Sequence, residues 1–397
     1  MTEPIAQLPM ERAEGCPFDP PPELATIRAE GPLRRLTFAD GHLGWLATGH
    51  AASRAILGDV RFSSRVENMH NPFPGLEIPE DLVGTVGDLT AMDRPEHTRF
   101  RHLLTGKFTV RRMRLLTERV EEVTAECLDA MAKAGPPVDL VAAFAQPIPA
   151  MMICELLGVP AADHDLFKRM TADLGGIDVS VEEQYAAYSQ LQLYIHELVQ
   201  AKKTAPTDDL LSDLTTSDLT DEELAGVGAF LLGAGLDTTA NMLGLGTFAL
   251  LTNPDQFAAL RDDPTLTDGA VEEFLRYLSI AHTGVRTALE NVEVDGQLIS
   301  AGESVVVSVM AANRDPSRFP SPDALDVRRK ATGHLAFGHG IHQCLGQQLA
   351  RVEMRVAFPA LLARFPTLRL AGSPEDVVIR PAINIHGINR LRVTWDV

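Results

Sequence analysis

The run Phe337-Gly338-His339-Gly340-Ile341-His342-Gln343-Cys344-Leu345-Gly346 gathers an aromatic ring, three glycines, two histidines and a cysteine. A cysteine ligates or attacks as the thiolate, which helix N-termini and nearby cations favour. The stretch Leu345 to Leu362 has apolar positions at Leu345, Leu349, Val352, Val356 and Phe358, so it reads as a helix that Cys344 opens. Gly338 and Gly340 permit torsions that residues with a Cβ resist, and let the chain pass close to a flat ligand. Gly346 leaves space beyond the sulfur. A lone cysteine is usually a small buried hydrophobe, the reading that suits Cys16, Cys127 and Cys154. At Cys344 the spacing instead predicts a thiolate held against something large and flat.

A second cluster lies in Ala234-Gly235-Leu236-Asp237-Thr238-Thr239. Glycine inside a helix costs about 1 kcal/mol relative to alanine. Buried aspartate needs partners, and threonine can bond back to the carbonyl four residues earlier. Together in an apolar helix they predict a local opening that binds something. Glu273 and Arg276 lie three apart on the expected helix Asp268–Ser279, where such a pair is ordinarily a weak surface contact.

The elements that must position these groups are mostly helical. Residues 22–58 read as helix, two strands (Leu33 to Phe38, Leu43 to Ala47) and helix, with Asp40-Gly41 as the turn. Residues 60–92, rich in Pro, Gly and Asn, predict a long binding loop. Residues 94–204 are mostly helical, and Gly135-Pro136-Pro137 ends the helix that begins near Arg111. Thr220-Asp221-Glu222-Glu223 is a capping box that opens a helix running to about Leu251. Two further helices end near Arg261 and Ser279. Residues 283–310 read as strands with a turn at Asp295-Gly296, and a Pro- and Arg-rich meander runs from Asn313 to Gly333. Short strands end the chain. The expected class is mainly α (α+β), helix-rich with small sheets at both ends.

No repeat, low-complexity tract or Gly/Ser linker divides the 397 residues, which predicts one domain over 1–397. Four scattered cysteines argue against a disulfide framework or a zinc site. The first fifteen residues carry charges and no apolar core, unlike a signal peptide or anchor. The apolar stretch Ala225 to Leu251 is broken by Asp237, Thr238, Thr239 and Asn241, so it reads as a buried helix and not a membrane span. A cytoplasmic protein with no membrane partner is expected. The net charge of −19 disfavours nucleic acid. Within it, Arg94, Arg99, Arg101, Lys107, Arg111, Arg112 and Arg114 form a basic island. That island is either a landing site for an acidic partner or a solvated helix face.

Phe-x-x-Gly-x-x-x-Cys-x-Gly, as Phe337 to Gly346, resembles the haem-ligand signature of the cytochrome P450 family, and His334 to His342 resembles its soluble bacterial branch. The resemblance extends over nearly the whole chain. It implies the P450 fold, haem b as cofactor, and Cys344 as the iron ligand with Phe337 and Gly338 beside it. By the same resemblance Thr238 holds bound oxygen and an ordered water, Asp237 gates proton entry, and Gly235 makes room for oxygen. His97, Arg101, Arg286 and His342 match the family's haem-propionate contacts, the charge-assisted donors that carboxylates favour. Glu273 and Arg276 become a buried structural pair locking helix to meander near Arg314 and Arg329. Phe230, Gly233, Ala234, His282, Val285, Ile383 and Ile385 are expected in the substrate pocket, with loop 60–92 and region 165–190 as its lid. One departure is Glu290-Asn291, where many relatives carry Glu-Asp.

The implied activity is a monooxygenase that inserts one oxygen atom from O2 into a small apolar substrate, as in macrolide, polyketide or terpenoid tailoring. The sequence shows no flavin or iron–sulfur domain, so a separate ferredoxin and reductase, or a flavodoxin, would supply electrons to a monomer. Two other readings stand beside it. A peroxide-using peroxygenase is disfavoured by the intact Asp237-Thr238 pair, and a non-catalytic partner protein by the retention of Cys344.

Overall fold

A computed structural model of the chain describes all residues except 1–2, 13–15, 76–82, 165, 168–169, 171–180 and 381–384, and describes the backbone alone over 181–188. Its axis is the helix Asp221–Thr252, which opens on the expected capping box: Thr220 accepts from the Glu223 N–H, and the Glu223 carboxylate accepts from the Thr220 N–H. It is roughly 48 Å long at 1.5 Å per residue. Residues 239–250 are buried throughout. Around this stem pack Pro147–Leu157, Val181–Thr204, Thr267–Leu278 and Gln347–Arg364. The helix Val110–Ala134 is capped by Thr109 and stopped by Gly135, whose φ of 72° few other residues adopt.

The sheets connect distant parts of the chain. Five strands stand in the order Leu33–Thr37, Leu43–Ala47, Ser304–Ser308, Thr283–Ala288, Phe62–Ser63. All neighbours are antiparallel except Leu43–Ala47 with Ser304–Ser308. Val138–Asp139 pairs with Arg392–Thr394, which pairs with Arg369–Leu370. The expectation of separate sheets at the two ends is corrected: N-terminal strands pair with strands near residue 300, and a mid-chain strand pairs with the C-terminus. Such pairings join residues hundreds apart, where local pattern carries no register. Asp295 and Gly296 make the expected tight turn, both at positive φ, between Val292–Val294 and Gln297–Ile299. The stretch 60–92 is not a bare loop, since it contributes the edge strand Phe62–Ser63 and short turns at Val66–Asn68 and Leu89–Ala91. Among the described residues, no helix is long and apolar enough to cross a membrane.

Candidate active site

The Cys344 loop packs on the helix His50–Gly58 and leads into the helix Gln347–Arg364. A short turn, Gly340–His342, precedes it, so the helix begins at Gln347 and not at Leu345. Gly338 and Gly340 take φ values of 67° and 77°, as the sequence predicts. Their surroundings differ. A Cβ on Gly340 would lie 2.6 Å from the Leu57 carbonyl, so this glycine lets the loop press on the helix His50–Gly58. A Cβ on Gly346 would meet nothing within 4 Å, and one on Gly338 only the His342 carbonyl at 3.8 Å. The open side of the loop is therefore the side of Gly338 and Gly346. The Cys344 N–H donates to the Phe337 carbonyl at 2.8 Å, folding the loop so that Phe337 lies beside the cysteine.

Burial pushes the Cys344 thiol up, against the lowering effect of the Gly346 N–H and of Arg101 and Arg351. The helix terminus and the cations do favour the thiolate, but desolvation outweighs them. A thiol in such a place ionises when it coordinates a metal.

Sequence reasoning missed the brace behind this loop. Arg351 makes two hydrogen bonds to Glu272, at 2.6 and 3.0 Å, and stacks 4.6 Å over Phe337. His334 reaches Glu272 at 3.1 Å and accepts from the Ala336 N–H. Burial alone would raise Glu272, but hydrogen bonds from His334 and Arg351 hold it at about 2. The signal was present in the spacing Glu272, Arg351, but contacts between separate elements have no local period.

The four nitrogen-bearing residues converge. The His97 and His342 rings lie 4.3 Å apart, and Ser64 Oγ meets His342 Nε2 at 2.8 Å. Burial, then Arg101, pushes His97 down; burial, then Arg286, holds His342 at about 3. Burial lowers Arg286 to about 10 and also lowers Arg101, which feels Cys344. Arg286 donates to its neighbour's carbonyl, on Val285, and feels Asp93 without forming an ion pair among the described residues. His97 is 2% exposed and, among the described residues, its Nε2 has no partner. Two guanidiniums with no ion pair there, beside an orphaned imidazole nitrogen, are expensive unless an acid completes them. A flat dicarboxylate seated against Cys344 fits this donor set, and haem is such a group.

Across the open space lies the central helix. Gly233 and Ala234 are exposed although the helix is buried farther on. Phe230 is half-buried just before them. Thr238 Oγ donates to the Ala234 carbonyl at 2.8 Å, the back-bond its type predicts. The helix nevertheless stays continuous from Asp221 to Thr252, so the expected opening is a surface feature and not a break. Gly235 is corrected in direction: its Cβ would lie 2.4 Å from Ile153 Cδ1, so it serves packing on the helix Pro147–Leu157. Asp237 is not free. Its oxygens accept from Asn241 Nδ2 and Arg380 Nη2, each at 2.9 Å.

Two pocket expectations are also corrected. His282 is 3% exposed, hydrogen-bonded to Thr283, and held near 4 by burial and Arg12, so it belongs to the core edge. Val285 alternates with Arg286 along its strand and packs against the N-terminal cluster of Leu8 and Leu24, on the opposite face. The open position on the Arg286 face is Gly284, around which a Cβ would meet nothing within 4 Å. Ile385 is half-buried against the main core, and Ile383 lies outside the described residues, as does part of the expected lid.

Glu273 and Arg276 are fully buried and doubly hydrogen-bonded at 2.8 Å. Arg276 also donates to the Asn313 and Pro322 carbonyls, and Arg329 to Glu273. Arg314 donates to the Tyr277 carbonyl, next to Arg276 on the same helix, and is also bonded to Asp19 and Asp323. The basic island is largely neutralised. Arg99 pairs with Asp218 and Glu223, Arg111 with Asp208, Arg112 with Asp213, Lys107 with Asp213 and Arg114 with Glu118. Arg94 of the island is exposed without an acidic partner among the described residues, and further such cations lie elsewhere. Arg54 is on the helix that supports Gly340, and Arg318 donates to Thr332 and packs on Gly333.

The family model described as "Cytochrome P450" matches residues 156–383. The chain is 50% identical to "Cytochrome P450 105C1" of a Streptomyces species, over 95% of this chain and 96% of that protein. It is 44% identical to "Pentalenic acid synthase" of Streptomyces avermitilis, over 100% and 98%. The crystal structure of GfsF superposes with a TM-score of 0.91 at 41% identity, over 98% and 100% of the two chains. CYP105P1 in complex with filipin I superposes with a TM-score of 0.88 at 41% identity, over 99% of each chain.

Proposed function

Since this chain belongs to the cytochrome P450 family, a monooxygenase family whose members use haem, O2, an organic substrate and redox partners, we propose a specific reading of it. It binds haem b through Cys344. It inserts one oxygen atom into a small apolar polyketide or terpenoid, by hydroxylation or epoxidation. It works as a cytoplasmic monomer with electrons from a separate ferredoxin and reductase. The observation that carries this reading is the convergence of Cys344 with Arg101, Arg286 and His97, where among the described residues neither arginine forms an ion pair and His97 Nε2 has no hydrogen-bond partner.

Haem bound by a cysteine thiolate supplies the oxygen-activating redox chemistry. The protein's residues do the rest. The N–H groups of Gly346 and Gln347 donate to the sulfur and temper its charge. Arg351, fixed by Glu272, holds Phe337 over the loop and limits water at the thiolate. Arg101, Arg286, His97 and His342 hold the carboxylates. The Thr238 hydroxyl donates to Ala234, which leaves its lone pairs free to accept from a water and pass on a proton. Phe230, Gly233, Ala234 and Ile385 offer the apolar wall that small-molecule sites use. A relative is named pentalenic acid synthase, and a structural neighbour was solved with filipin I. Both names are compatible with an apolar, multi-ring or long-chain substrate.

An acidic ferredoxin has its landing surface around Arg54 and Arg318, outside the thiolate loop, and not on the self-paired island at 94–114. Loading the protein with haem, reducing it and adding CO tests the core of the reading. A Soret band shifted well to the red supports thiolate ligation; failure to take up haem overturns it. A panel of polyketides and terpenoids, scored by the low-spin to high-spin change, then assigns the substrate.

A further inference from the structure

A pair of glycines lays a loop directly on the central helix, backbone against backbone. A Cβ on Gly226 of the helix would stand 1.9 Å from the Val86 carbonyl oxygen. A Cβ on Gly87, whose φ is 87°, would stand 2.4 Å from the Gly226 carbonyl carbon. Glycine inside a helix is disfavoured relative to alanine, so its place at 226 calls for a reason. The contact with Val86 and Gly87 supplies one.

Gly226 lies on a stripe of the helix that stays open. Steps of three or four residues lead from it to Phe230, to Gly233 and Ala234, and to Asp237, all half-buried or exposed, whereas 239–250 are buried. Thr238 follows, roughly 18 Å from Gly226 at 1.5 Å per residue. The loop 84–91 stands over the far end of this stripe. Gly87 is buried against the helix while Thr85 and Val86 are exposed, so the loop separates that end from solvent. The loop is braced within itself. The Asp88 N–H donates to the Thr85 carbonyl at 3.0 Å, the Ala91 N–H to the Asp88 carbonyl at 3.2 Å, and the Asp88 carboxylate accepts from the Thr90 N–H at 2.8 Å. Its other end is anchored too, because Leu89 and Ala91 are buried and the Leu89 carbonyl lies beside His342. A braced loop fixed at both walls closes the stripe, and Gly226 sets how tightly.

We propose that Gly226 is a specificity-determining residue: by letting the loop 84–91 lie directly on the central helix, it closes the pocket beyond Phe230 and limits the length of the substrate. This rests on the monooxygenase reading above and deepens it, by naming what sets substrate size. Any side chain at 226 has to lift the loop off the helix, which opens this end to longer molecules.

The test uses the haem-loaded enzyme and two azoles that ligate haem iron through an imidazole nitrogen: imidazole itself, and ketoconazole with its long tail. The Kd of each is read from the Soret shift in the wild type, Gly226→Ala, Gly87→Ala and Gly228→Ala. The last adds a Cβ 2.6 Å from Ile195 Cγ2, so the same helix clashes with the helix Val181–Thr204 and not with the loop. Gly226→Ala should bind ketoconazole about tenfold more tightly, with imidazole affinity unchanged. Gly87→Ala clashes from the loop side and should shift the same way, and it carries the test if Gly226→Ala takes up no haem. Gly228→Ala should keep the wild-type ratio of the two Kd values. A second readout is independent of any ligand: hydrogen exchange at the Asp88 amide should quicken by about tenfold in Gly226→Ala and not in Gly228→Ala. An unchanged or weakened ketoconazole affinity in the variants at 226 and 87 overturns the proposal. So does an equal shift in Gly228→Ala, which would mark a general loosening of the helix. The reduced CO spectrum separates the two ideas. A wild type without the red shift sinks the haem-thiolate reading, whereas a retained shift with an unmoved Kd ratio sinks the role of Gly226 alone.

Discussion

At the scale of single residues, chemistry was legible where an amino-acid type has few uses. Cys344, Thr238 and the cations His97, Arg101, Arg286 and His342 could be picked out by type and spacing, and the structure adds that, among the described residues, the two arginines form no ion pair and His97 Nε2 has no partner. Directions were not legible. Gly235 faces Ile153, and Val285 faces away from Arg286, because orientation depends on helix phase and strand alternation set by tertiary packing. Thr238→Ala removes the hydroxyl bonded to Ala234, so more electrons should end as peroxide and fewer in product, measured as peroxide formed per reductant consumed. Full coupling in that variant would contradict the role. Glu272 gives a pH prediction. Its folded value is held near 2, below the ordinary 4.5, so its stabilisation is complete above about pH 4.5 and fades as pH falls toward 2. The unfolding free energy of Glu272→Gln, from urea titration, should therefore lie below the wild type at pH 7, by on the order of 2–3 kcal/mol, and the gap should close as pH falls through that window. A gap that stays constant with pH would contradict the ionised brace.

At the scale of elements, helix ends were the most readable feature. The Thr220–Glu223 box and Gly135 stop and start helices through local donors and torsions, which sequence states directly. The pairing of Ser304–Ser308 with Leu43–Ala47 was not readable, nor was the supply of Asp208, Asp213, Asp218 and Glu223 to the basic island, because both are long-range. The buried Glu273–Arg276 pair was read as an ion pair, and the family resemblance supplied its burial and its link to the meander. The contact between the cysteine loop and the helix His50–Gly58 depends on one position. Gly340→Ala adds a Cβ 2.6 Å from the Leu57 carbonyl at a φ of 77°, so both clash and strain oppose it. About 3 kcal/mol of stability should be lost, with weaker haem retention, measured by urea unfolding and by haem transfer to apomyoglobin. A variant as stable as the parent would show that loop and helix are not in register as described.

At the scale of the whole molecule, a strongly acidic protein carries its usable positive charge near the thiolate loop. The island that sequence singled out is cancelled at Arg99, Lys107, Arg111, Arg112 and Arg114, while Arg54 and Arg318 have no acidic partner among the described residues. Charge reversal at Arg54 and Arg318 should lower the apparent affinity for an acidic ferredoxin by about tenfold at low salt, and the loss should shrink as salt rises. Reversal at Arg111 and Arg112 should have a smaller effect on that affinity. Ferredoxin titrations at two ionic strengths give the comparison, and the opposite ranking would return the landing site to the island.

The most direct measurement sets the reduced, CO-bound spectra of the wild type and Cys344→His side by side, both loaded with haem. The account predicts a strongly red-shifted Soret band in the wild type and its loss in Cys344→His, with haem still bound by the Arg101, Arg286 and His97 set. A wild-type band without the shift, or a shift that survives the substitution, would contradict Cys344 as the thiolate ligand.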